Sequence, residues 1–169
     1  MITSTRSQLG KLLIDNPDVI IHNSCLHTDK RKETQKREYE AVKGIVKYAM
    51  NKNKHLIFIS TTGKDTYYSV YKKLSEQYIM SYMEKRTIIR FPSLISKGTL
   101  WEKFYTGEYT EAQGNDIMFL SLEEAANIVN EAAKNPIRET ITIKGNMIKD
   151  FDVMALAKFY KELSMKNGL

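Results

Sequence analysis

The chain has 169 residues, of which 42% are hydrophobic and 27% charged, the profile of a folded globular protein rather than a disordered or low-complexity one. No apolar run approaches the ~20 residues that cross a bilayer, and the opening MITSTRSQLGKLL lacks the apolar stretch of a signal peptide. The single cysteine, Cys25, makes no internal disulfide, so a cytoplasmic location is expected and a disulfide-stapled secreted domain is excluded.

The net charge of +6 is concentrated, with nine basic residues between Lys30 and Lys54 against Glu33, Glu38 and Glu40. That stretch holds the whole excess. A basic face attracts nucleic acid or an acidic partner, but no aromatic interleaving or groove-reading motif accompanies it. A solvated helix face is the preferred reading, and nucleic-acid binding the least favoured function.

In chain order, Ser4 and Thr5 are candidate N-caps for a helix carrying Leu9, Leu12 and Leu13, which Asp15-Asn16-Pro17 ends. Val19-Ile20-Ile21 is a β-branched run with the character of a strand buried on both faces. Val42, Ile45, Val46 and Ala49 mark a helix, and Leu56-Ile57-Phe58-Ile59 a second buried strand ending in Ser60-Thr61-Thr62-Gly63. Tyr67, Tyr71, Leu74 and Tyr78 form another helical stripe, followed by the strand Thr87-Ile88-Ile89-Arg90. The stretch from Pro92 to Asp116 reads as irregular.

Ser121-Leu122-Glu123-Glu124 is a capping box, opening a helix with Leu122, Ala125, Ala126, Val129, Ala132 and Ala133 on one face. Ile141-Thr142-Ile143 reads as a short strand, and Val153, Leu156, Tyr160 and Leu163 as a closing helix. Strands alternating with helices predict an α/β fold over residues 1–169 with a mainly parallel sheet flanked by helices. No internal repeat or linker divides it.

The strongest candidate for chemistry is Tyr68-Ser69-Val70-Tyr71-Lys72. Residues four apart share one helix face, and an ammonium beside a phenol stabilises the phenolate, so Tyr68 can exchange a proton with a substrate oxygen. A hydroxyl from Thr61 or Thr62 can orient that oxygen. Tyr39 and Lys43, and Tyr48 and Lys52, have the same spacing, so the position of Tyr68 just after a strand is what singles it out. His22, Cys25 and His27 are close in sequence but lack the further ligand a zinc site needs, and no metal is expected. Trp101, Phe104, Tyr105 and Tyr109 form an aromatic cluster, read equally as a pocket wall or as a plug holding down a long loop.

The order of these motifs resembles the NAD-dependent epimerase/dehydratase branch of the extended short-chain dehydrogenases, from about Ser4 to Leu163. Pro17-Asp18-Val19-Ile20-Ile21-His22 is similar to the family's "PDvViH" strand, with Asn23 and Ser24 where two small residues lie beside the cofactor. Leu56 to Thr62 resembles the strand ending in the catalytic Ser/Thr, and Tyr68 to Glu76 the "Y-x-x-S-K-x-x-x-E" helix. Ile89-Arg90-Phe91-Pro92-Ser93-Leu94 resembles the "lR-x-P" strand end, and Ile117 to Val129 the stretch "i-x-f-v-h-v-x-D-v-A".

The resemblance implies a partial Rossmann-like fold corresponding to the family's C-terminal part. It implies an NAD(P)-dependent sugar-nucleotide epimerase, dehydratase or reductase, with Tyr68 as acid/base and Thr62 (or Thr61) on the substrate oxygen. Lys72 lowers the phenol's pKa and holds the nicotinamide ribose, while Asn23, Pro92 and Ser93 lie at the NAD or NADP site. The sequence has no G-x-G-x-x-G loop for a pyrophosphate. A minimal or split enzyme is therefore expected, binding dinucleotide weakly by itself; the alternative is a non-catalytic interaction protein on a degenerate scaffold. In the full family a further strand lies beside the counterpart of Val19–Ile21. An open edge is thus expected there, paired with a second copy or a complementing protein.

Overall fold

The computed structural model describes residues 1–4, 7–23, 31–64, 66–95, 104–108, 116–150, 152–155 and 157–158. Five parallel strands form one sheet: β1 (Ile2–Thr3), β2 (Val19–His22), β3 (His55–Thr61), β4 (Arg86–Phe91) and β7 (Glu139–Thr142), in the order β1-β2-β3-β4-β7. Helix α1 (Lys32–Asn51) connects β2 to β3, and α2 (Tyr67–Tyr82) connects β3 to β4. After β4 come β5 (Ser93–Ile95), β6 (Asp116–Ser121), helix α3 (Leu122–Lys134), then β7 and β8 (Asn146–Lys149). The expected Rossmann-like α/β sheet is therefore present.

The inner strands read as continuous apolar runs because both faces are covered. Ile20, Leu56, Phe58 and Ile88 meet Val42, Val46 and Ala49 of α1 and Ile79 of α2. The alternate residues Val19, Ile21, Ile57, Ile59 and Ile89 meet Ala125, Ala126, Val129 and Ala133 of α3. This is the period-two alternation of a strand working on two cores at once. Both later helices start on reciprocal caps. Ser121 Oγ accepts from Glu124 N at 3.1 Å while Ser121 N donates to Glu124 Oε2 at 3.2 Å. Thr66 and Ser69 make the same exchange at 3.1 Å in each direction, a cap the sequence reading had not singled out.

Three expectations change. The helix expected around Leu9, Leu12 and Leu13 is a single 3-10 turn, Gly10–Leu12. So short a segment does not sustain a helical nucleus, and α3 holds it instead. Asn130 Oδ1 accepts from Ile14 N at 2.8 Å, Asn130 Nδ2 donates to Leu12 O at 3.1 Å, and Asn16 Nδ2 donates to Ala133 O at 2.8 Å. Leu9 and Leu13 are thereby turned into the core beside α3.

The edge expected at Val19–Ile21 is already paired. Ile2 and Thr3 lie in parallel register with Ile21 and His22, and Ile21 N donates to Met1 O at 2.9 Å. Val19, Ile20 and Ile21 are each 1% exposed. Two residues suffice because β2 has only four, and only alternate backbone groups point outward.

The stretch after Pro92 is not wholly irregular. β5 pairs parallel with β6, and β6 antiparallel with β8, in a second sheet of three strands. Phe119 of β6 packs there with Phe104, Val153 and Ala157. Phe104 thus serves as a plug. Trp101 and Tyr109 of the aromatic cluster lie outside the described residues, as do Leu156, Tyr160 and Leu163 of the expected closing helix.

Candidate functional site

Ligands of open parallel sheets bind beyond the carboxyl ends of the strands. Here β2, β3 and β4 end at His22, Thr61 and Phe91, and Asn23, Thr62 and Pro92 follow directly on those ends. Thr62 is fixed between two strands, since its amide donates to Phe91 O at 2.9 Å. Thr61 Oγ1 accepts from Gly63 N at 3.0 Å, closing the turn that leads towards α2. Pro92 is buried and Ser93 half-buried at the step from β4 to β5, where the two sheets meet.

Tyr68 stands in the first turn of α2 and is half-buried. One turn on, Lys72 is only 7% exposed. Its ammonium donates to Ile59 O at 2.7 Å and lies 4.6 Å from the centre of the Phe58 ring and 5.8 Å from that of Tyr68. The lysine thus runs from α2 down onto β3, with its charge beside the Tyr68 ring. Glu76, a further turn along, is buried and bridged to Arg90 of β4, which fixes α2 against the strand.

Asn23 stands back from Thr62 along the sheet. Its side-chain amide donates to Ser7 Oγ at 2.8 Å and its backbone amide to Thr3 Oγ1 at 3.2 Å. His22 is in register with Phe58, so Asn23 is level with Ile59, three residues short of Thr62. At about 3.3 Å per residue that is roughly 10 Å along the strand.

His22 closes the strand that resembles the family's "PDvViH" motif; Cys25 and His27, its neighbours in the sequence, lie outside the described residues. In the fold His22 belongs to the surroundings of Lys72. Its ring stacks on Phe58 at 5.7 Å and an interplanar angle of 13°, and its Nδ1 is 2.9 Å from Thr3 Oγ1. Burial, and then the nearby Lys72 cation, push its pKa down from 6.5 to about 3. A neutral imidazole is therefore held beside a buried ammonium. Beneath them is a cavity of about 10 Å³, lined by His22, Gln35, Phe58, Tyr71, Lys72 and Ser75, with room for about one water. Ser60 Oγ, one residue beyond the Ile59 carbonyl, is buried without a hydrogen-bond partner among the described residues.

This arrangement offers a phenol, an ammonium and two threonine hydroxyls at one end of a parallel sheet. Those groups suit proton exchange with an alcohol or carbonyl oxygen and fit the nicotinamide-ribose end of a dinucleotide. The pyrophosphate end does not fit, because the sequence has no glycine loop to approach it.

The chain matches no protein-family model and no curated protein. Among solved structures it is similar to a hypothetical dTDP-4-dehydrorhamnose reductase from Sulfolobus tokodaii, with a TM-score of 0.74 and 19% identity over 94% of this chain and 81% of that one. A dTDP-4-dehydrorhamnose reductase from Clostridium acetobutylicum gives a TM-score of 0.75 and 15% identity over 92% of this chain and 78% of that one. The Bordetella bronchiseptica enzyme WbmG, solved with NAD and UDP, gives 0.70 and 12% over 86% of this chain and 56% of that one. At such identities the likeness is one of fold, and it is the fold of the family that the motif order resembles.

Proposed function

We propose that this chain is a minimal or split relative of the NAD(P)-dependent sugar-nucleotide reductases and epimerases, a single domain corresponding to their C-terminal part. The observation that supports it most is the pairing of Tyr68 with a buried Lys72 at the carboxyl end of β3. Tyr68 is the acid/base, Thr62 or Thr61 hydrogen-bonds the substrate oxygen, and Lys72 supplies the positive field that favours the phenolate. Pro92 and Ser93 border the nicotinamide, and Asn23 flanks the site on the β2 side. When bound, the dinucleotide supplies the hydride chemistry. The glycine loop for the pyrophosphate is not among these 169 residues and is supplied from outside them.

A non-catalytic interaction protein on the same scaffold is the second reading. It is favoured by the tie between the Lys72 ammonium and the Ile59 carbonyl, which gives that charge a structural role. Titration calorimetry with NAD(H) and NADP(H) tests the proposal. Weak or absent binding to the isolated chain, restored by a glycine-loop partner, is the expected result. Tight binding in the low micromolar range, about −8 kcal/mol, overturns the split; no binding with any partner favours the second reading.

A further inference from the structure

The basic stretch falls largely on α1, and the helix gives four of its lysines a common edge. Lys32, Lys36, Lys43 and Lys47 are spaced by one turn, two turns and one turn, so they lie one above another on a single face. α2 carries tyrosines at the same spacing, Tyr67, Tyr71, Tyr78 and Tyr82. Each stripe is about 22 Å long at 1.5 Å per residue.

Contacts between the helices place the two stripes on either side of one seam. The Tyr39 ring of α1 lies 6.2 Å from that of Tyr71 and 6.3 Å from that of Tyr78. Lys43 Nζ is 4.5 Å from the centre of the Tyr39 ring and 5.9 Å from that of Tyr78. Tyr78 in turn lies against Tyr82, with ring centres 4.6 Å apart. Lys43 is bridged to Glu40 at 2.9 Å, while Lys32, Lys36 and Lys47 are exposed. Tyr67 and Tyr82, at the two ends of their stripe, are each more than half exposed. The basic stretch thus gains its aromatic partners from α2 by packing, which the order of residues along the chain does not display.

We infer that this seam is a binding surface for single-stranded nucleic acid, with phosphates along the lysines of α1 and bases stacked on the tyrosines of α2. Packed helices lie about 8–10 Å apart, so one strand in the seam reaches both stripes. The pairing of a cationic track with a row of rings selects this occupant. A duplex offers phosphates but keeps its bases stacked inside, and an acidic protein offers charge without a series of planar rings. A second copy of the chain would set like charge against like, because the whole excess of +6 sits in the basic stretch. Aromatic platforms beside a positive track are the form that sequence-tolerant strand binding takes. The inference does not depend on the catalytic reading, since the Lys72 ammonium turns inward to the Ile59 carbonyl.

Fluorescence anisotropy on the full chain tests it, with labelled oligothymidylate and oligouridylate at low salt as probes. Saturable binding to at least one of them is expected. Its log K should fall with log salt at a slope of roughly −2, about −0.7 for each of the three exposed lysines. Tyr82→Ala should weaken binding about tenfold, within the range for one stacked base, whereas Tyr82→Phe keeps the ring and should bind like the wild type. Replacing Lys36 and Lys47 together by Gln should flatten the slope to about −0.7 with circular dichroism unchanged. If Tyr82→Ala fails to fold, Tyr67→Ala at the other end of the stripe decides. Four results overturn the inference. They are no binding to either probe at low salt, and a duplex of the same length bound as tightly as the single strand. The others are polyglutamate displacing the probe as well as unlabelled oligothymidylate does, and an affinity that the tyrosine-to-alanine variants leave unmoved.

Discussion

Glu76 of α2 and Arg90 of β4 form a bidentate ion pair, with Arg90 Nη2 2.5 Å from Glu76 Oε2 and Nε 3.0 Å from Oε1. The Glu76 side chain is 2% exposed and that of Arg90 36%, so the acid is the buried partner. The hydrogen bond from the guanidinium to this carboxylate pushes the Arg90 pKa above its usual value. Two motifs fourteen residues apart, the middle of the Tyr-Lys helix and the end of the following strand, are thereby locked together. Arg90→Met strands a buried carboxylate and should lower stability by about 3 kcal/mol. Replacing both residues by Met should cost less than the single change, because no charge is left unpaired. Urea denaturation of the three variants checks the order; an additive double mutant would mean that the pair does not act as a unit.

The acid limb of the stability curve should carry the signature of His22. Its folded pKa of about 3 lies below the unfolded value of 6.5, so the unfolded chain binds this proton more readily. Stability from this source is full above pH 6.5 and falls as pH drops towards 3, by up to about 1.4 kcal/mol per pH unit. His55 contributes in the same direction. Burial and then Lys85 lower its pKa, and its Nε2 lies 2.9 Å from Thr87 Oγ1, which in turn donates to Ile137 O at 2.6 Å. His22→Phe keeps the stack on Phe58 without the titrating group. Its stability should depend less steeply on pH between 6.5 and 4 than the wild type's; an unchanged slope by thermal denaturation would contradict the assignment.

Much of the main sheet was legible because its signals are local. Val19–Ile21, Leu56–Ile59 and Thr87–Arg90 are apolar runs too short for helices, and the alanine face after Ser121 has a helical period and a visible cap. What was not legible depends on partners distant in sequence. Ile2–Thr3 has no pattern of its own; it becomes a strand only by pairing with β2. β5 has three residues, and its sheet is completed by β8 far along the chain. The tyrosine-lysine pair was visible as a spacing, but the Ile59 carbonyl under Lys72 and the neutral His22 beside it follow from burial, which spacing does not report. The hydrogen bonds of Asn23 to Thr3 and Ser7 likewise depend on β1 lying beside β2.

Gly145 marks a close approach between the two sheets. A Cβ there would press into Phe119 O and stand 2.9 Å from Pro92 Cγ. The first of these is backbone in the middle of β6 and has little freedom to retreat. Gly145→Ala should therefore destabilise by about 1–3 kcal/mol, the usual cost of forcing atoms into a packed site. Gly44 is the control, since nothing lies within 4 Å of a Cβ at that position on α1. There Gly→Ala should stabilise the helix by up to about 1 kcal/mol. Thermal melts of the two variants should move in opposite directions.

The last prediction separates structure from chemistry at the Tyr68–Lys72 pair. Tyr68→Phe removes one hydroxyl from a half-buried ring in the first turn of α2 and leaves the ring itself in place. Lys72→Met instead removes a buried donor and leaves the Ile59 carbonyl without the 2.7 Å bond it now accepts. A buried group left unsatisfied costs about 1–3 kcal/mol, so this variant should melt lower. If the proposed chemistry holds, both variants lose turnover in the complemented enzyme. Tyr68→Phe should lose roughly 10²–10⁴-fold, the range for general acid/base catalysis, with its melting temperature nearly unchanged. The informative contrast is therefore a variant that folds like the wild type and does not turn over, beside one that is both less stable and inactive. Were Tyr68→Phe to retain full turnover while Lys72→Met lost only stability, the pair would belong to the scaffold, and the interaction-protein reading would take its place.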